Sequence, residues 1–129
     1  MEKFKMLVVD DEQDFLETII KRLKARKIEV NGVESGYKAL ELLDKQEVDV
    51  IILDVKMPGM DGIETLREIK KKKPLVEVIM LTGHASVESG IQGMQLGAFD
   101  YVMKPVALDE LLEKVRQASE RKVIHEGKP

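Results

Sequence analysis

Five side chains have the types needed to hold a hard metal or to move a phosphoryl group: the adjacent acids Asp10 and Asp11, a lone Asp54, Thr82 and Lys104. Three carboxylates brought together repel, and like charges at close range are costly. A hard divalent cation relieves that cost. Mg²⁺ takes oxygen ligands in an octahedron, keeps some waters and often bridges to phosphate. Lysine supplies a point charge suited to a phosphoryl oxygen, and a threonine hydroxyl donates a hydrogen bond to another oxygen of the same group. A carboxylate beside such a cation can itself be the nucleophile in phosphoryl transfer, giving an acyl phosphate. This chemistry requires residues spread along most of the chain to meet at one place.

The elements that must position them follow from hydrophobic patterning. Each candidate stands after a short apolar run. Met6-Leu7-Val8-Val9 ends at the acid pair, and Val48 to Leu53 ends at Asp54. Val76 to Leu81 ends at Thr82-Gly83-His84, and Ala98 to Met103 ends at Lys104-Pro105. The β-branched run Val50-Ile51-Ile52-Leu53 has the pattern of a strand buried on both faces. Turn formers from Lys56 to Gly62 follow it and leave the front of Asp54 open. Glu29 to Val33 is weaker and reads as an edge strand.

Between the strands, apolar residues recur at helical spacing. Phe15, Leu16, Ile19, Ile20 and Leu23 predict a helix from Gln13 to about Arg26. Tyr37, Leu40, Leu42 and Leu43 mark a second, from Gly36 to about Lys45. Asp61 and Glu64 resemble a capping box opening a third, through Leu66 and Ile69. Val87, Ile91 and Met94 share one stripe before a stop at Gly97. Leu108, Leu111, Leu112, Val115 and Ala118 make the last helix. Five β-α units predict a parallel sheet with helices on both faces. With right-handed crossovers the natural arrangement is a flavodoxin-like, doubly wound five-stranded sheet in the order 2-1-3-4-5. The first, third, fourth and fifth strands are then consecutive neighbours, about 4.8 Å apart. Their C-terminal ends share the edge where such sheets bind ligands.

Composition narrows the class. The chain has 129 residues, one domain's worth, with 43% hydrophobic and 35% charged residues, as in a globular protein. Lys plus Arg is 21 and Asp plus Glu is 24, a net charge of −3, which argues against nucleic-acid or anionic-membrane binding by this chain alone. No cysteine is present, so there is neither a disulfide nor a thiolate metal site, and a cytoplasmic location is expected. No apolar run approaches the ~18 residues of a membrane span. Neither His84 nor His125 has a second histidine at metal-ligand spacing.

Taken in order, VVDDE, LDVKMPGMDG, LTGHA and YVMKP resemble the receiver domain of two-component response regulators, over essentially residues 4 to 122. The resemblance implies that Asp54 accepts a phosphoryl group from a sensor histidine kinase or a histidine phosphotransfer protein. It implies that Asp10 and Asp11 hold Mg²⁺, with Asp11 the more direct ligand, and that Asp54 and the backbone carbonyl of Lys56 complete the set. Lys104 would bind the phosphoryl group, and Thr82 and Tyr101 would be a switch pair. The Lys104-Pro105 peptide would be cis. Such a domain catalyses its own Mg²⁺-dependent phosphorylation and dephosphorylation and turns over no external substrate. Residues 1–124 would form the receiver, with 125–129 a polar tail or the start of a linker.

Further expectations concern output and lifetime. A phosphoryl group on Asp54 would draw Thr82 toward it and vacate space for an aromatic ring on the next strand. The helix after Thr82 carries Gly90 and Gly93, each costing roughly 0.8–1 kcal/mol relative to Ala, and marginal elements are the ones that move. The face made by that helix, the fifth strand and the last helix would then signal to an output domain, a partner protein or a second copy of the chain. Lys56 and His84, each two residues beyond a site residue, would set how long the phosphorylated state lasts. Gly83 would leave room for a donor.

Simpler readings compete. An Asp pair after a strand is often only the N-cap of the next helix. Asp54 alone reads as a loop acid, Thr82 as a strand-end threonine and Tyr101 as sheet packing. Lys70 to Lys73 suit the dipole at a helix end better than they suit a nucleic acid. A phosphatase similar to the haloacid dehalogenase group needs a DxD arrangement on one strand, whereas Val55 and Lys56 follow Asp54. A flavodoxin-like cofactor binder needs a phosphate-binding loop after the first strand, where this chain has acids. A non-phosphorylated adaptor of the same fold would not need the intact acid set.

Overall fold

The computed structural model describes residues 3–57, 59–83 and 87–127. Its strands are β1 (Lys5–Val9), β2 (Glu29–Val33), β3 (Val50–Asp54), β4 (Glu77–Thr82) and β5 (Asp100–Met103). All neighbours pair in parallel, in the order β2-β1-β3-β4-β5. β3 and β4 are buried at every residue, as a central parallel strand covered on both faces must be.

Alternation along the strands divides the core in two. Met6, Val8, Val50, Ile52, Ile79 and Leu81 face one side, where α1 (Gln13–Ala25) contributes Leu16, Ile19 and Leu23 and α5 (Leu108–His125) contributes Leu111, Leu112 and Val115. Leu7, Val9, Ile51, Leu53, Val78 and Met80 face the other. There they meet Ala39 and Leu43 of α2 (Gly36–Lys45) and Leu66 and Ile69 of α3 (Gly62–Lys72). α4 (Val87–Gln95) packs on the same side through Gly93, where an added Cβ would come within 2.8 Å of Met80 Cγ.

Four local features differ from or sharpen the sequence reading. β3 and β4 begin later than their apolar runs and end one residue later, so Asp54 and Thr82 are the last ladder residues rather than the first loop residues. The apolar stripe of α4 faces out: Ile91 is 48% and Met94 40% exposed, because the close approach to the sheet is made at Gly93. α5 runs through His125, taking in the first residue of the expected tail, and Gly127 stands at φ +72° just beyond its end. Asp61 Oδ1 accepts from Glu64 N–H at 2.9 Å, as a cap should.

Candidate functional site

Four strand ends build the site. Asp10 follows β1, and its N–H donates to Val33 O at 3.1 Å, tying the acid to the neighbouring edge strand. Its side chain is fully buried, and Oδ1 accepts from the Glu12 N–H at 2.9 Å. Asp11, one residue on, is exposed. Asp54 closes β3 and is 6% exposed. The loop after it is pinned at Gly62, whose N–H donates to Val55 O at 2.9 Å. A side chain at 62 would put Cβ 2.3 Å from the Asp54 carbonyl oxygen, so only glycine lets α3 start this close to the acid. Lys104 follows β5, and its N–H donates to Thr82 O at 2.7 Å. The Lys104-Pro105 peptide is cis.

The side chains converge as the strand order requires. Carboxylate oxygens of Asp10, Asp11 and Asp54 all lie within 4.8 Å of one another. Lys104 Nζ stands 4.0 Å from Asp54 Oδ1 and 3.1 Å from Asp10 Oδ2. The second of these is a charge contact out of line for a hydrogen bond, so the buried Oδ2 has no donor among the described residues. Burial, reinforced by the charge of Asp10, pushes Asp54 up to about 7, although Lys104 and the Lys56 N–H pull the other way. Burial likewise raises Asp10, with the Glu12 N–H and Lys104 opposing. Burial would lower Lys104, but its hydrogen bond to Glu12 and the close carboxylates of Asp10 and Asp54 outweigh it and hold the ammonium above its usual range.

A buried acceptor without a donor, two further carboxylates within reach and a raised carboxyl pKa are the marks of a site short of positive charge. The all-oxygen donor set fits a small hard cation.

The remaining sequence candidates are placed as follows. Thr82 is fully buried, and its hydroxyl donates, at the long distance of 3.5 Å, to Val102 O on β5 rather than to the acids. Tyr101 is half-buried, pairs in register with Met80 and packs on the core side that holds α2, α3 and α4. The Lys56 side chain is exposed, while its N–H serves Asp54. His84 lies outside the described residues. A Cβ on Gly83 would meet nothing within 4 Å. Two participants are missed by sequence reasoning. Glu12 Oε1 accepts from Lys104 Nζ at 2.8 Å, and the Phe15 ring lies 4.6 Å from the same ammonium. In the sequence Glu12 is only the last residue of VVDDE, and Phe15 only part of the apolar stripe of the first helix.

The fold and rim together define a class: a doubly wound α/β domain with an acidic pocket and a lysine at the C-terminal edge of its sheet. The chain matches the response regulator receiver domain family over residues 6–116 and belongs to it. It is 34% identical over 118 residues to the DNA-binding transcriptional regulator NtrC of Escherichia coli strain K12, covering 92% of this chain and 25% of that protein. It is 34% identical over 123 residues to the response regulator MprA of Mycobacterium sp. strain KMS, covering 95% of this chain and 54% of that one. The chain thus spans about a quarter of the first relative and about half of the second. Among solved structures, a response regulator receiver domain protein from Clostridium thermocellum superposes with a TM-score of 0.89 at 38% identity, covering 94% of this chain and 98% of that one. Receiver domains serve two-component signalling and are not turnover enzymes on external substrates. No helix among the described residues is long and apolar enough to cross a membrane.

Proposed function

We propose that this chain receives a phosphoryl group on Asp54 from a phosphohistidine on a sensor histidine kinase or a phosphotransfer protein. The P–N bond breaks, the histidine nitrogen leaves with its electron pair, and a new bond joins phosphorus to an Asp54 carboxylate oxygen. The observation that carries this reading is the convergence of Asp10, Asp11, Asp54 and Lys104 on one rim of a receiver-family fold. Asp10, Asp11, Asp54 and the Lys56 carbonyl would hold Mg²⁺. When bound, that cation supplies charge compensation for the acids and for the incoming phosphoryl oxygens. Lys104 neutralises a phosphoryl oxygen from the side of β5. Thr82, now bonded weakly to Val102 O, is free to turn its hydroxyl to another.

That turn is the switch. Tyr101 follows into the space Thr82 leaves, and the α4-β5-α5 face changes. The exposed apolar residues Ile91 and Met94 of α4 give that face something to bind with, whether the partner is an output domain, another protein or a second copy of the chain. Lys56 and His84 tune the lifetime of the acyl phosphate by their approach to attacking water. Residues 1–124 act as the receiver, with 125–129 a polar tail or the start of a linker. The cysteine-free composition suits work in the cytoplasm.

The test is peptide mass spectrometry after incubation with acetyl phosphate and Mg²⁺. Wild type should gain one phosphoryl group on the peptide holding Asp54, and Asp54→Asn should gain none. A phosphoryl group on another residue, or none in wild type, would refute the reading.

A further inference from the structure

One contact at the rim has no part in the phosphoryl transfer itself. The aligned hydrogen bond of Lys104 Nζ goes not to the deep acids but to Glu12 Oε1, at 2.8 Å. Asp54 Oδ1 is farther away, at 4.0 Å, and Asp10 Oδ2 is near but out of line. The Phe15 ring supports the ammonium from another side, 4.6 Å to its centroid. Glu12 is placed for this by its own backbone. Its N–H donates to Asp10 Oδ1 at 2.9 Å, and its carbonyl accepts from Leu16 N–H at 2.9 Å to begin α1. The side chain caps nothing on the helix, so it is free to reach across the rim. The acceptors differ in depth: the Glu12 side chain is 65% exposed, those of Asp10 and Asp54 0% and 9%.

We propose that Glu12 is a positioning residue for Lys104, a rim counter-ion that holds the ammonium outward until a phosphoryl group on Asp54 draws it in. The inference rests on the function proposed above. A phosphoryl group adds charge and acceptor oxygens at depth. The ammonium then exchanges a solvated carboxylate for a buried anion, and Glu12 returns to water at little cost because it is already exposed. Since Glu12 bonds Lys104 in the resting state only, it weighs against the phosphorylated state. Exposed ion pairs contribute little, so the effect is a tuning one.

Two readouts test this on the full chain. The first is the ¹⁵Nζ NMR signal of Lys104 in metal-free protein. Glu12→Gln should shift it and speed its proton exchange. Asp14→Asn removes the same charge two residues on, in the first turn of α1, from a residue outside the ion pairs of Lys104, and should leave the signal in place. The second is the midpoint for binding beryllofluoride, a phosphoryl mimic, with Mg²⁺ present. Glu12→Gln should lower it about two- to fivefold relative to Asp14→Asn. An unchanged Nζ signal in Glu12→Gln overturns the proposal, as do equal midpoints in the two variants, which would mean that only net charge matters. A wild-type protein that neither binds beryllofluoride nor takes a phosphoryl group overturns the function and this inference together.

Discussion

At the N-terminal ends of the strands, Glu77 is only 2% exposed and both its oxygens meet Arg121, one through Nε and the other from Nη2 at 2.7 Å. Lys70 adds a second cation at 3.6 Å, and the guanidinium lies 4.6 Å from the Phe99 ring centroid. Beside it Asp49 accepts from the Lys5 N–H at 2.8 Å and pairs with the buried Lys122 at 3.2 Å. At the C-terminal ends, by contrast, Asp10 and Asp54 share the Lys104 ammonium, which Glu12 also binds, Asp11 adds a third carboxylate beside them, and the buried Asp10 Oδ2 has no donor among the described residues. The same sheet thus has one rim where acids are matched by cations and one where they are not. Buried charge left unpaired costs stability, so the first rim ties α3 and α5 to the sheet, whereas the second keeps a deficit of positive charge that a ligand can fill.

If that contrast is right, equivalent changes at the two rims act with opposite sign. Glu77→Ala strands Arg121 and Lys70 and should cost roughly 2–4 kcal/mol, the lower half of the range allowing for their partial exposure; urea unfolding measures it. Mg²⁺ at a hundred times its dissociation constant should stabilise wild type by about 2.7 kcal/mol. A thermal shift that survives in Asp11→Asn would place the ion elsewhere. Asp54→Asn should stabilise the metal-free protein at pH 8, by on the order of 2 kcal/mol after allowing for solvent at the mouth. The sign follows from the raised carboxyl pKa. The stability contributed by the neutral acid is fully present below 3.8, its unfolded value, and is lost as pH rises through about 7. The gain from Asp54→Asn should therefore shrink toward zero at pH 4, and an equal gain at both pH values would contradict it.

The two rims were not equally legible in the sequence. The upper one, at the C-terminal ends of the strands, could be read because its groups follow apolar runs, and a parallel sheet puts all such positions at one edge. Asp54 and Thr82 proved to belong to the ladders themselves, since polar residues can complete a strand whose apolar run has ended. The lower rim carried no such signal. Glu77 and Arg121 are 44 residues apart, and nothing local in either stretch announces the pair. Lys70 read as a helix-end cation, yet its ammonium also donates to Val76 O at 2.8 Å. Periodicity found the stripe of Ile91 and Met94 but not its direction, because Gly93, with no side chain to register in an apolar pattern, makes the close contact. Glu12 was hidden for a similar reason: its role depends on a lysine 92 residues away.

The charge deficit at the upper rim is tested most directly by the Asp54 side-chain carboxyl ¹³C signal, followed against pH by NMR in metal-free protein and again with Mg²⁺. The account predicts a midpoint near 7 without metal and a marked fall with it. A metal-free midpoint in the ordinary carboxylate range, unmoved by Mg²⁺, would contradict it.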